Sequence, residues 1–213
     1  MKTPTFDIEH QYWSQCITNI AGLDEAGMGA LAGPVVAGAV VFSHDALEKI
    51  IANQKKFPIR DSKLLSETQR EKAASFIREI ASFFAIGMAS VEEIDQLNIR
   101  NASHLAMRRA VESLAIPPDM LIIDGTSDTI HPTIFSLSII KGDQLSYSIA
   151  AASILAKVAR DSIMQNLHLS YPVYGFDSHK GYGAKKHMDA LVMYGATDHH
   201  RQSYAPIANL TKS

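Results

Sequence analysis

The chain has 213 residues, 46% of them hydrophobic and 20% charged, with a formal net charge of −2. That balance can bury an ordinary core and excludes a disordered or low-complexity chain. The single cysteine, Cys16, excludes an internal disulfide and a cysteine-rich zinc site, and it fits a reducing compartment. The longest apolar run, Leu31 to Phe42, is interrupted by Gly33, Pro34 and Gly38. At 12 residues it falls well short of the roughly 20 needed to cross a bilayer. No apolar signal core opens the chain, so the expectation is a cytoplasmic protein without membrane contact, organised as one domain.

In chain order, a strand is predicted over 18–24 and a second over Val35 to Phe42, separated by a Gly/Pro-rich turn. The pair reads as a hairpin with Asp24 and Glu25 near its turn. Ser66 with Gln69 three residues on forms a capping box that opens a helix to about Ile80. A short strand follows over Phe83 to Met88, then helices near 91–97 and from about Ala102 to Leu114, stopped by Pro117-Pro118. Strands are predicted over 120–124 and 133–140, and a long helix from about Leu145 to Leu169. A Gly- and His-rich loop, Tyr174 to Gly183, leads to a helix near 185–194 and an irregular tail. This order suits an α/β layer architecture: a mixed sheet with helices on both faces.

Four carboxylates sit at the ends of apolar stretches. Asp24 and Glu25 close Ile20-Ala21-Gly22-Leu23, Asp124 closes Met120-Leu121-Ile122-Ile123, and Asp143 follows Ile139-Ile140-Lys141-Gly142. Buried strands that deliver acids at their exits gather like charges, which resist joint ionisation unless a cation sits among them. Mg²⁺ is a fitting cation, since it takes a few carboxylates plus water and phosphate oxygens. The pattern therefore points to metal-assisted phosphoryl chemistry. Adjacent strand residues face opposite ways, so Asp24 and Glu25 share a site only if the backbone bends there. Taken singly, Asp124-Gly125 is an ordinary turn, and Asp143 could equally cap the long helix.

Glycines at 27, 29 and 33 are wrongly spaced for a dinucleotide loop and precede Pro34 and a Val-rich strand. They fit a loop whose backbone N–H groups approach a ligand closely. The small residues of Ser148 to Ala156 let the long helix lie close to a sheet, and Lys157 with Asp161 reads as a surface i,i+4 pair. His179, His187, His199 and His200 lack zinc-ligand spacing. Tyr182, in Lys180-Gly181-Tyr182-Gly183, reads as an exposed aromatic beside lysine that can pack on a sugar or base.

Charge is uneven: residues 1–149 hold 13 Lys+Arg against 18 Asp+Glu, whereas 150–213 hold 7 against 4. With the four acids occupied by metal, nine basic residues are available to phosphate: Lys55, Lys56, Arg60, Lys63, Lys141, Lys157, Lys180, Lys185 and Lys186.

In order along the chain stand Asp24-Glu25-Ala26-Gly27-x-Gly29, Asp61-Ser62-Lys63, Ile123-Asp124-Gly125, Lys141-Gly142-Asp143, Ser148 to Asp161, and His179-Lys180-Gly181-Tyr182. From about residue 18 to 206 the chain resembles bacterial ribonuclease HII. The resemblance implies a ribonuclease H-like core over about 18–165 and a helical C-terminal part over about 166–213. It implies a monomer that cuts the RNA strand of RNA–DNA hybrids, and DNA duplexes containing ribonucleotides on the 5′ side of each. Two Mg²⁺ or Mn²⁺ ions, held by Asp24, Glu25, Asp124 and Asp143, would serve as cofactors. By the same resemblance the Gly27-Met28-Gly29 backbone reads the ribose 2′-OH, Tyr182 packs on the deoxyribose, and Lys63, Lys180 and Lys185 grip phosphates. Two positions depart from the family pattern. Met28 stands where arginine is usual, which removes a phosphate contact but not backbone recognition, and Leu64 follows Lys63 where a second lysine is frequent.

Overall fold

The computed structural model describes residues 3–126 and 130–210. Its sheet has five strands in the order β3-β2-β1-β4-β5. These are β1 (Ile20–Ala26), β2 (Val35–Val41), β3 (Phe83–Ala89), β4 (Met120–Asp124) and β5 (Phe135–Ile139). β1, β2 and β3 run antiparallel in sequence, while β1, β4 and β5 run parallel. β1 is thus where the two kinds of pairing meet. Its parallel pairing with β4 ends at Leu23↔Ile123, leaving the acids beyond it outside the ladder between these strands.

The helix α6 (Tyr147–Ser170) lies on one face and α5 (Ile99–Glu112) on the other. Close approach explains two glycines on the α6 face. A Cβ on Gly22 would lie 2.2 Å from the Ser148 carbonyl carbon, and one on Gly38 would lie 2.5 Å from the Ala152 oxygen. With Ala150, Ala151 and Ala152 fully buried, backbone meets backbone across this interface, as the small-residue run predicts. The α5 face has a core of Leu23, Val35, Ile94, Met107, Leu121 and Ile123 among others. The capping box expected at Ser66 opens α3 (Glu67–Ile80), and a second, Ser90 with Glu93, opens α4 (Val91–Leu97).

Several expectations are corrected. The expected hairpin of β1 and β2 is present with Asp24 and Glu25 near its turn, but β1 continues through Ala26, so both acids are still paired within the strand, opposite Gly38 and Ala37. The cap of α6 is Ser146, whose side chain accepts from Ile149 N–H; Asp143 lies in the preceding 3₁₀ turn. Lys157 does pair with Asp161 at 2.7 Å, but Asp161 is buried and also faces Arg70 at 3.6 Å. Asp161 is therefore an interior anchor between α3 and α6.

The sequence reading also omits α1 (Asp7–Trp13) and α2 (Ala46–Asn53), and it takes the segment containing α9 (Ala205–Leu210) as irregular. Tertiary contacts rather than local pattern fix α1: Phe6 enters the core, and buried Glu9 accepts from Ser146 Oγ at 2.6 Å and Ser148 N–H at 3.2 Å. The C-terminal part adds α7 (Phe176–His179) and α8 (Lys185–Tyr194) around a smaller core of Leu31, Met164, Tyr174, Phe176, Leu191 and Ile207. Residues 211–213 of the expected C-terminal part lie outside the described residues. Among the described residues no helix is long and apolar enough to cross a membrane.

Candidate active site

The four acids meet around the C-terminal ends of the parallel pair β1 and β4. No bend is needed, because strand alternation places them on two sides. Asp24 shares the α6 face with Gly22 and hydrogen-bonds Ser153 of α6, whereas Glu25 turns to the α5 face and hydrogen-bonds Ser103. Asp124 Oδ1 accepts the Gly142 N–H at 2.6 Å, tying the end of β4 to the turn that carries Asp143. A Cβ on Gly142 would lie 2.6 Å from Ile149 Cδ1, so this turn packs directly against the Ile149 side chain of α6.

Burial and mutual repulsion act on these groups together. Burial, then the charges of Glu25 and Asp124, hold the Asp24 carboxyl well above its usual range. Burial and then Asp124 push Glu25 up to about 7. Burial, Asp124 and Asp61 push Asp143 up to about 6 against a partial offset from Lys63. Lys63 is the cation set among them, placed by a short turn in which Asp61 Oδ1 accepts its N–H at 2.9 Å and buried Ser62 hydrogen-bonds Ser153 at 3.0 Å. One ammonium against four carboxylates leaves a charge excess.

The donor set is entirely carboxylate oxygen, which suits a hard divalent cation such as Mg²⁺ or Mn²⁺. Among the described residues, no group of three or more His, Cys, Asp or Glu side chains closes around one point as a finished cage. Asp24, Glu25 and Asp124 instead border open cavities, which leaves room for an ion that completes its shell with water and phosphate oxygens.

Two cavities flank these acids. One, about 520 Å³, is lined by Asp24, Glu25, Gly27 to Gly29, Lys63, Lys157 and Tyr182. The other, about 380 Å³, lies toward α5 and is lined by Glu25, Met28, Asp124 and Gly125 with Arg100, Ser103 and His104. The structure thus brings together the acids, the glycine loop, Lys63 and Tyr182. Tyr182 is 38% exposed, with Lys157 Nζ 5.8 Å and Arg160 Cζ 5.3 Å from its ring centroid.

Lys180 is a correction. Its ammonium is buried, donates to the Asp177 carbonyl and faces Glu67 at 3.8 Å, so it does not line the cleft. Lys185 is exposed on α8 and pairs with Asp189.

Sequence reasoning passes over the supports of Tyr182 and the glycine loop. His200 Nδ1 accepts Thr197 N–H at 2.9 Å, which leaves its Nε2 to donate to His187 Nε2 at 3.1 Å. His187 Nδ1 then donates to the Tyr182 carbonyl at 2.9 Å. Burial lowers the pKa of both rings, His200 to about 4, so the relay is neutral. Backbone bonds from Leu31 N–H to Gly181 O at 2.8 Å and Gly33 N–H to His199 O at 2.9 Å join the glycine loop to the C-terminal part. Fully buried Arg160 and Arg201 lie beneath that loop. Arg201 carries no periodic or motif signal, and Arg160 stands between Lys157 and Asp161 in α6, where nothing local marks it as buried.

With this geometry in hand, known proteins offer a comparison. Residues 21–207 match the family model described as Ribonuclease HII. The chain belongs to the ribonuclease HII family. It is 45% identical over 210 residues to the ribonuclease HII of Orientia tsutsugamushi strain Boryong, covering 99% of this chain and 96% of that one. It is 46% identical over 214 residues to the ribonuclease HII of a Wolbachia from Brugia malayi, covering 100% and 98%. Among solved structures it is similar to the ribonuclease H2 of Pyrococcus horikoshii, with a TM-score of 0.75 at 25% identity, covering 91% of this chain and 97% of that one. A ribonuclease HIII, Bst-RNase HIII, solved in complex with Mn²⁺, shares the fold at a TM-score of 0.71 and 18% identity, covering 92% and 70%. As a ribonuclease HII family member, the chain is a ribonuclease H, a metal-dependent endonuclease acting on nucleic acid.

Proposed function

We propose that the chain hydrolyses the RNA strand of RNA–DNA hybrids and cuts on the 5′ side of single ribonucleotides embedded in duplex DNA. The cut leaves a 3′-hydroxyl and a 5′-phosphate, and the protein acts as a cytoplasmic monomer in ribonucleotide removal and RNA primer removal. One observation carries this reading. Asp24, Glu25, the Gly27–Gly29 backbone and the exposed ring of Tyr182 line one cavity, Asp124 lines the adjoining one that shares Glu25 and Met28, and Asp143 lies close enough to feel the charge of Asp124.

Asp24, Glu25, Asp124 and Asp143 would hold two Mg²⁺ or Mn²⁺ ions. Bound there, the ions would lower the pKa of an attacking water and offset the charge on the leaving oxygen. The chain's own residues select and orient the substrate. The loop N–H groups meet the 2′-OH, which distinguishes RNA from DNA at a site. Tyr182 packs against the neighbouring sugar. Lys63, exposed beside Glu25 and Asp143, contacts a phosphate.

The test is cleavage of a DNA duplex containing one ribonucleotide, with Mg²⁺, Mn²⁺ or EDTA, resolved to the nucleotide. A metal-dependent cut immediately 5′ of the ribonucleotide is expected. Cleavage of a long hybrid with no cut at the single ribonucleotide would refute the junction reading and leave the metal site standing.

A further inference from the structure

Two guanidiniums, Arg160 and Arg201, are fully buried beneath the Gly27–Pro34 loop. Among the described residues neither forms a salt bridge with a carboxylate; backbone carbonyls surround both. Arg201 Nη2 donates to Gly27 O at 2.7 Å and Gly33 O at 3.0 Å, Nη1 to Met28 O at 2.8 Å, and Nε to Gly33 O at 3.1 Å. Tyr204 Oη accepts from Arg201 at 3.0 Å and donates to the same Met28 carbonyl at 2.8 Å. Arg160 donates from Nε to Pro34 O at 3.0 Å, from Nη2 to Ala32 O at 3.0 Å and from Nη1 to Lys180 O at 2.9 Å.

Peptide geometry turns these contacts into a direction. Among the described residues no peptide is cis, and in a planar trans peptide the C=O of one residue is antiparallel to the N–H of the next. Carbonyls of Gly27 and Met28 drawn inward onto Arg201 therefore aim the N–H groups of Met28 and Gly29 away from it, toward the cleft that both residues line. Among the described residues, no hydrogen bond occupies either N–H. Gly27 makes room for the arrangement. Its φ is +100°, and a Cβ there would lie 2.0 Å from Arg160 Nε.

Arg160 adds a register. One planar group holds the glycine loop through Ala32 and Pro34, holds the Lys180 carbonyl, and lies under the Tyr182 ring. A lysine could carry the charge but not this fork.

We propose that Arg201 and Arg160 are positioning residues for ribonucleotide recognition. Arg201 aims the Met28 and Gly29 N–H groups at the 2′-OH, and Arg160 fixes their distance from Tyr182. This rests on the proposed reading of the loop as the 2′-OH reader.

The test is binding, in an Asp124→Asn background that does not turn over, to duplexes identical except for one ribonucleotide or none. The parent should prefer the ribonucleotide. Arg201→Lys should cut that preference by about tenfold, the worth of one or two hydrogen bonds. Affinity for all-DNA duplex should hold. Tyr204→Phe, which loses only one of the two donors to Met28 O besides a bond to Arg201, should give a smaller cut and serves if Arg201→Lys does not fold. Arg160→Lys should lower the preference and also remove the effect of Tyr182→Ala. An undiminished preference in any folded Arg201 or Tyr204 variant overturns the proposal. So does a parallel fall of both affinities with melting temperature, which would mark a structural role. A parent with no preference would instead refute the 2′-OH reading itself, and the positioning role with it.

Discussion

Removing one charge from the acid cluster should stabilise the metal-free protein. Asp124→Asn is the cleanest such change, because Asn keeps an oxygen for the Gly142 N–H that Asp124 Oδ1 now accepts at 2.6 Å. Glu25 titrates at about 7 in the folded chain against an ordinary 4.5, a difference of about 3 kcal/mol. The sign is set by proton uptake. Below about pH 4.5 both states hold the proton; between there and about 7 the folded state keeps a proton the unfolded state has released, so stability falls as pH rises. Asp143, raised to about 6, adds in the same direction. Burial is the larger cause for each, and Asp124 is the next for both. If Asp124 accounts for a third of the Glu25 shift, its removal returns about 1 kcal/mol, or roughly 2–4 °C for a chain of this length. Thermal melts in EDTA should show Asp124→Asn melting above the parent by that amount near pH 8, with the gap closing near pH 5. Mg²⁺ should raise the parent more than the variant. The buried histidines cancel in the difference, since both proteins carry them. A variant less stable than the parent near pH 8 in EDTA, or a gap indifferent to pH, would refute the reasoning.

Gly27→Ala places a methyl 2.0 Å from Arg160 Nε at φ +100°, so melting should drop by roughly 5–10 °C, about 2–3 kcal/mol. Differential scanning fluorimetry checks this, and an unchanged melt would mean that the loop is not held on Arg160. Tyr182→Ala should lower cleavage at a single ribonucleotide about tenfold or more with little change in melting temperature, because the ring is 38% exposed; equal losses would make it a packing residue. The His187–His200 relay carries the opposite pH sign to the acids. His200 titrates at about 4 when folded against an ordinary 6.5, so its stability is complete above about 6.5 and is lost as pH falls through this range. Hydrogen exchange over residues 176–183, corrected for intrinsic rates, should quicken at about pH 5 relative to pH 7. Constant protection would count against the relay as the support of Tyr182.

Legibility from sequence follows the range of the interaction. The capping box at Ser66 and the apolar runs that become buried strands are local and readable, and the structure shows them. The acids were visible as residues, but the way they meet was not. A bend between Asp24 and Glu25 is expected from the glycines, whereas the strand runs on and its ladder with β4 ends at Leu23↔Ile123. That is a property of register between strands about a hundred residues apart. Helix α1 is hidden for the same reason: the partners of Glu9 are Ser146 and Ser148. Lys180 looks like a phosphate contact beside Tyr182, yet a left-handed backbone turn (φ +51°) accompanies an ammonium turned onto Asp177 and Glu67.

Alternation along β1 is what makes the site two-sided. A bend would have put Asp24 and Glu25 on one face and left the α5 side without an acid. In the extended strand, Asp24 faces α6, with Gly22 and Gly38 letting that helix close in, and Glu25 faces α5. Asp124 stands next to both, since each feels its charge. Glu25 and Met28 consequently line both flanking cavities. A strand of nucleic acid that spans them must cross the glycine loop where its carbonyls are turned down onto Arg201. The negative cluster and the buried cations are therefore two sides of one arrangement. In the proposed reading the acids would hold metal on the cleft side, while the guanidiniums satisfy the loop carbonyls from behind and leave backbone N–H donors facing the cavity.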